Sequence, residues 1–163
     1  MKATFEEISY HRDPPKSYGR KTVILPFARI SARMLIVRRS DGAVLGVRHR
    51  PDFGMALPGG GLDDGETPAE AAARELEEEH ITLINPDPGW QDRFGVDHFD
   101  GYRELNFWFV IAVDGVETEP SDEIVEEAWV PQDADPWYPL LRPLILLLIE
   151  KYYPDLRIKG VKK

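Results

Sequence analysis

Glu75, Glu78 and Glu79 are the residues of this chain best placed to do chemistry. Spacings of three and four residues put side chains on one face of a helix. Like charges at that spacing oppose helix formation by about 0.2–0.5 kcal/mol per pair, so three together point to a cation held among them. Carboxylate oxygens are hard ligands that suit Mg²⁺, with Mn²⁺ as the alternative. A glycine-rich turn, Gly59-Gly60-Gly61, lies just ahead.

The helix that must carry these carboxylates has a legible start. Thr67 reads as its N-cap, and Pro68 takes the first helical position, where its missing N–H is harmless. Glu70 completes a T-x-x-E capping box. At about 100° per residue, Ala69, Ala72, Ala73 and Leu76 share one side, with the three glutamates beside them. Small alanines predict close contact with a sheet, which would bring the acidic edge to the rim of a cleft.

Strands are predicted over Val23–Ile30, Ala32–Arg38 and Ala43–Arg48, the last two joined by the turn Ser40-Asp41-Gly42. Pro51–Asp64 and Asn85–Gly89, rich in Gly and Pro, read as loops. Arg103–Val113, with Phe107, Trp108 and Phe109, reads as a buried strand, and Ile124–Val130 as a short one. A final helix, about Pro139 to Tyr153, is apolar on nearly every side, which predicts burial on more than one face. Residues 1–21 are polar and broken by Pro14-Pro15, so they read as an arm before a single domain over 22–163. Strands and helices in mixed order predict an α+β layered architecture.

Composition narrows the chemistry. The chain has no cysteine, which removes disulfides, thiol nucleophiles and Cys-based zinc sites. A net charge of −9 argues against binding duplex nucleic acid. It leaves room for a small phosphate-bearing substrate, since one divalent cation reverses the local sign of an acidic pocket. The longest apolar run, Phe107–Val113, is seven residues, and Leu144–Ile149 is six, against roughly 20 for a membrane span. The expectation is a soluble cytoplasmic protein with no membrane partner. The apolar last helix leaves a homodimer contact open.

The segment GGGLDDGETPAEAAARELEEEHIT resembles the signature of the Nudix hydrolase superfamily. That signature is a Gly, five residues, a Glu, seven residues, then Arg-Glu-apolar-any-Glu-Glu-any-Gly-apolar. Gly60, Glu66, Arg74, Glu75, Leu76, Glu78 and Glu79 all fall in register. Leu57-Pro58-Gly59 matches the usual approach to it. Ile81 stands where the signature has Gly and Thr82 where it has an apolar residue. An Ile in the left-handed conformation costs about 1–2 kcal/mol, so this helix is expected to end by another route. Met55 stands where many relatives carry Trp.

The resemblance implies an α/β/α sandwich around a mixed β-sheet. It also implies metal-dependent hydrolysis of a pyrophosphate bond, in a nucleoside diphosphate linked to another group or in a nucleoside triphosphate. Glu75, Glu78, Glu79 and the Gly59 carbonyl would hold the metal. Glu75, Glu79 or Glu123 would take the proton from water, with Glu104 a further candidate. Arg74 would orient a glutamate, and Arg48, Arg50 and Arg103 would clamp phosphates. Two alternatives from other classes remain: a non-catalytic regulator that binds nucleotides or sugar nucleotides on the same fold, and an acidic interaction protein.

Overall fold

The computed structural model describes residues 29–99, 104–134, 136–137 and 141–158. The arm at 1–21, most of the first predicted strand, Arg103 and the start of the last predicted helix lie outside the described residues. Among those described, eight strands and two α-helices occur: β1 (Arg29–Arg38), β2 (Val44–Arg48), β3 (Gly59–Gly61), α1 (Pro68–Glu78), β4 (Ile81–Ile84), β5 (Phe94–Phe99), β6 (Glu104–Val113), β7 (Gly115–Thr118), β8 (Glu126–Val130) and α2 (Leu141–Tyr152).

The main sheet runs β5-β6-β1-β2-β8, with β3 paired to β1 beside β2. It is mixed: β1 and β6 are parallel over their whole length, from Arg29↔Glu104 to Arg38↔Val113, and the other pairs are antiparallel. A buried parallel pair needs cover on both faces. On one face Ala32, Met34, Ile36, Phe107, Phe109 and Ile111 pack against Ala71, Ala72 and Leu76 of α1. On the other, Leu35, Val37, Trp108 and Val110 pack against Leu141, Ile145, Leu148 and Ile149 of α2. Both faces of β1 and β6 are therefore apolar, and helices sandwich the sheet as expected.

The Thr67 hydroxyl accepts the Glu70 N–H while the Glu70 carboxylate accepts the Thr67 N–H, so the predicted capping box forms. A cap of this kind contributes about 1 kcal/mol. The buried side of α1 is turned from the predicted one. Ala71, Ala72, Glu75 and Leu76 face inward and Ala73 is exposed, so two of the three carboxylates, Glu75 and Glu79, are buried. The helix does end by another route. His80 takes the left-handed conformation at φ 57°, and Ile81 begins β4 as a buried strand residue paired with Thr118.

Other expectations need correction. The predicted loop at Pro51–Asp64 contains β3, because a three-glycine segment pairs with β1 without any side-chain signal of a strand. α2 buries a stripe and not most of its surface. Leu141, Ile145, Leu148 and Ile149 are covered, whereas Leu147 is 65% exposed. Among the described residues no helix is long and apolar enough to cross a membrane.

Candidate active site

The Gly59–Gly61 strand is the floor on which the acidic helix rests. Gly59 has φ +132°, and a Cβ there would collide with the Ala32 carbonyl of β1. A Cβ on Gly60 would lie 2.5 Å from both carboxylate oxygens of Glu75. Glycine at these two positions lets the helix bring its carboxylates down onto the sheet.

Each carboxylate is held differently. Glu79 is 1% exposed, and its Oε2 accepts the Gly59 N–H at 3.1 Å. Its Oε1 is buried with no hydrogen-bond partner, and His49 Nε2 stands 3.6 Å away. Burial raises the Glu79 pKa to about 8; the Gly59 N–H opposes this, and neighbouring Glu75 adds to it. Glu75 is raised too, first by burial, with Arg74 opposing. Glu78 lies at the exposed rim.

Arg74 ties the group together. Its Nη1 donates to Glu75 Oε1 at 3.0 Å and to Glu78 Oε2 at 2.9 Å. Its Nε donates to Glu66 Oε1 at 2.7 Å, and its Nη2 to the Gly61 carbonyl at 2.8 Å. The anions around it raise its pKa, Glu66 most of all. Among the described residues no three acidic or imidazole side chains already form a metal-holding group. The Arg74 guanidinium instead bridges two of the expected ligands.

Glu75, Glu78 and Glu123 share one cavity of about 360 Å³ with Gly59, Gly60, Gly61, His49, Arg29 and Arg33. Glu123 comes from the loop between β7 and β8, where its carbonyl lies 3.0 Å from His49 Nδ1. A second cavity of about 540 Å³ shares Arg29, Arg33 and His49 and is otherwise walled by Arg50, Phe53, Gly54, Ala56, Leu57, Glu104, Asn106, Trp108 and Leu141. Glu104 therefore sits apart from the carboxylate cavity. Met55 is buried in the α2-side core and lines neither cavity.

Of the three arginines expected at phosphates, Arg50 lines the larger cavity and Arg103 lies outside the described residues. Arg48 lines neither cavity. Its register on β2 places it opposite Glu126 of β8, and the two pair across the strands at 3.0 Å. Arg29 and Arg33 stand at the junction instead. Arg33 Nη1 lies 3.2 Å from the Leu57 and Gly59 carbonyls. Desolvation lowers its pKa and Arg29 lowers it further, while Glu104, Glu79 and Glu75 oppose this. Two adjoining cations in a confined space suit an anionic ligand. The signal for Arg33 was available in the sequence: a charged residue between Ala32 and the apolar run Met34–Val37.

A family model described as the NUDIX domain matches residues 28–146. An RNA pyrophosphohydrolase of Xanthomonas campestris is 30% identical over 126 residues, covering 65% of this chain and 59% of that protein. The chain thus spans about three fifths of the length of that relative, at 59%. A bifunctional NMN adenylyltransferase/ADP ribose pyrophosphatase from Francisella tularensis, complexed with AMP and Mn ion, matches with a TM-score of 0.61 at 22% identity, over 76% of this chain and 41% of that one. A NUDIX hydrolase from Nitrosomonas europaea matches with a TM-score of 0.55 at 24% identity, over 83% and 96% of the two chains. At these identities the structural likenesses show a shared fold.

Proposed function

The chain belongs to the NUDIX family, and from that membership we propose that it hydrolyses a pyrophosphate bond in a small nucleotide substrate, assisted by Mg²⁺ or Mn²⁺. The observation that carries this reading is the buried Glu79 Oε1, an oxygen without a hydrogen-bond partner beside a cavity walled by three more carboxylates. A buried carboxylate oxygen left unpaired is costly, and a hard cation would relieve it. The donor set is all oxygen, which suits Mg²⁺ and Mn²⁺.

The residues that would hold the cation are Glu75, Glu78, Glu79 and the Gly59 carbonyl. When bound, a divalent ion supplies charge neutralisation at phosphorus and a more acidic water. The chain's own groups do the rest. Arg74 keeps the Glu75 and Glu78 side chains aligned through its two 2.9–3.0 Å bonds. Gly59 N–H fixes which oxygen of Glu79 faces inward. Glu123, exposed on the cavity wall, can accept a proton from water without losing a structural partner. Arg29 and Arg33, which line the same cavity, would bind the charge that develops on the phosphate oxygens.

The test is a panel of nucleoside diphosphate derivatives and nucleoside triphosphates, scored by phosphate release after phosphatase coupling. At least one should turn over with Mg²⁺ or Mn²⁺ and stop with EDTA; metal-independent turnover would remove the reading. The non-catalytic regulator has one observation in its favour, the Arg74 bridge that satisfies Glu75 and Glu78 without a cation. Tight nucleotide binding with no metal-stimulated product would select it.

A further inference from the structure

We propose that the 540 Å³ cavity beside the carboxylates receives the nucleobase of the substrate, with the Phe53 ring as its stacking surface; this rests on reading the adjoining cavity as the pyrophosphate site. The two cavities share Arg29, Arg33 and His49. A ligand whose phosphates meet those cations from the acidic side therefore has its remaining part directed into the larger space. A volume of 540 Å³ lies within the roughly 300–1,000 Å³ usual for small-molecule sites.

The walls select the chemistry of that part. Phe53, Leu57, Trp108 and Leu141 are apolar, whereas Glu104 and Asn106 offer hydrogen-bonding edges. Asn106 is 2% exposed, and its Oδ1 accepts the Ser31 hydroxyl of the adjoining strand, which fixes the amide. A ring with apolar faces and a polar rim matches such a lining. A sugar, with hydroxyls on every side, would leave several of them against Leu57 and Leu141 without partners.

Phe53 supplies the further sign. It is a large apolar side chain left 41% exposed in the loop between β2 and β3, and it borders the cavity. The Arg50 guanidinium lies 4.7 Å from the ring centroid, over one face. Arg50 is itself steadied by Asp52 at 3.5 Å. A cation over one face leaves the opposite face for a second flat partner. Arg50 in this role supports the stacking ring.

Stacking of a base on an aromatic side chain is worth about tenfold in affinity or more. The experiment is calorimetric titration in EDTA of wild type, Phe53→Ala and Phe53→Trp, with AMP, GMP, CMP and UMP, and with ribose 5-phosphate as a base-free probe. Wild type should bind its preferred nucleoside monophosphate at least about tenfold more tightly than ribose 5-phosphate. Phe53→Ala should remove most of that advantage, and Phe53→Trp should keep it. Equal affinity for the base-free probe, or an advantage untouched in Phe53→Ala, overturns the proposal. Because the titration needs no turnover, a failed hydrolysis panel with these results intact would sink only the hydrolase reading.

Discussion

Glu79→Gln lowers kcat about 10³-fold at saturating Mg²⁺, equivalent to roughly 4 kcal/mol of lost transition-state stabilisation. The expectation rests on what each oxygen of Glu79 does. Oε2 accepts the Gly59 N–H, and a glutamine carbonyl can do the same at 3.1 Å. Oε1 is the buried oxygen without a hydrogen bond, and in the variant an amide NH₂ replaces it, which donates and cannot ligate a cation. Volume and backbone contact are preserved, so the loss should come without unfolding. Steady-state kinetics on the best panel substrate, with circular dichroism as the check on fold, measures it. Turnover within tenfold of wild type would show that Glu79 is not a ligand.

The same substitution should make the metal-free protein more stable at alkaline pH. In the folded chain burial lifts the Glu79 pKa to about 8, against roughly 4.3 for an unperturbed glutamate. Between those values the folded state keeps a proton that the unfolded state has released, so stability falls as pH rises through that window. Below it both states are protonated and no penalty exists. Above pH 8 the penalty is complete, on the order of 5 kcal/mol at about 1.4 kcal/mol per pKa unit. Glutamine resembles the protonated acid and carries no such slope.

Denaturant unfolding in EDTA should therefore give similar stabilities near pH 4.5, with Glu79→Gln gaining on wild type up to pH 8 and beyond. Glu75 is raised as well and adds a slope in the same direction that both proteins share. Asp41, Asp87 and Asp114 are lowered, so they act below pH 4 and cancel in the comparison. A stability difference that does not change with pH would contradict the buried-carboxylate account.

The helix and its chemistry were legible because they are local. Thr67, Pro68 and Glu70 determine where α1 starts within one turn, and the spacing of Glu75, Glu78 and Glu79 needs no tertiary knowledge. How far the helix is rotated is a tertiary property. Close packing on β1 and β3 chose Ala71 over Ala73 for the interface, and that choice buries Glu75 and Glu79 while leaving Glu78 at the rim. The helix exit shows the same limit. Ile81 warned that the usual glycine stop was missing, yet nothing local indicated that His80 would take the left-handed turn.

Strand β3 was illegible because it is made of glycine and its evidence of pairing lies in β1, 26 to 30 positions earlier by the register Arg33↔Gly59 and Ser31↔Gly61. The cations were missed for a related reason. Arg29 and Arg33 reach the acidic helix only through the β1–β3 pairing, and His49 through the turn after β2. Arg48 carries the charge expected at a phosphate, but the cross-strand Glu126 that pairs with it is 78 residues away (126 − 48).

The most direct measurement is anomalous diffraction from a crystal grown with Mn²⁺ and a non-hydrolysable nucleoside triphosphate analogue. The account predicts a Mn²⁺ peak at bonding distance from Glu79 Oε1 and the Glu75 carboxylate, with the phosphates beside Arg29 and Arg33. A peak confined to exposed acids such as Asp63, with Glu79 Oε1 left uncoordinated, would contradict it.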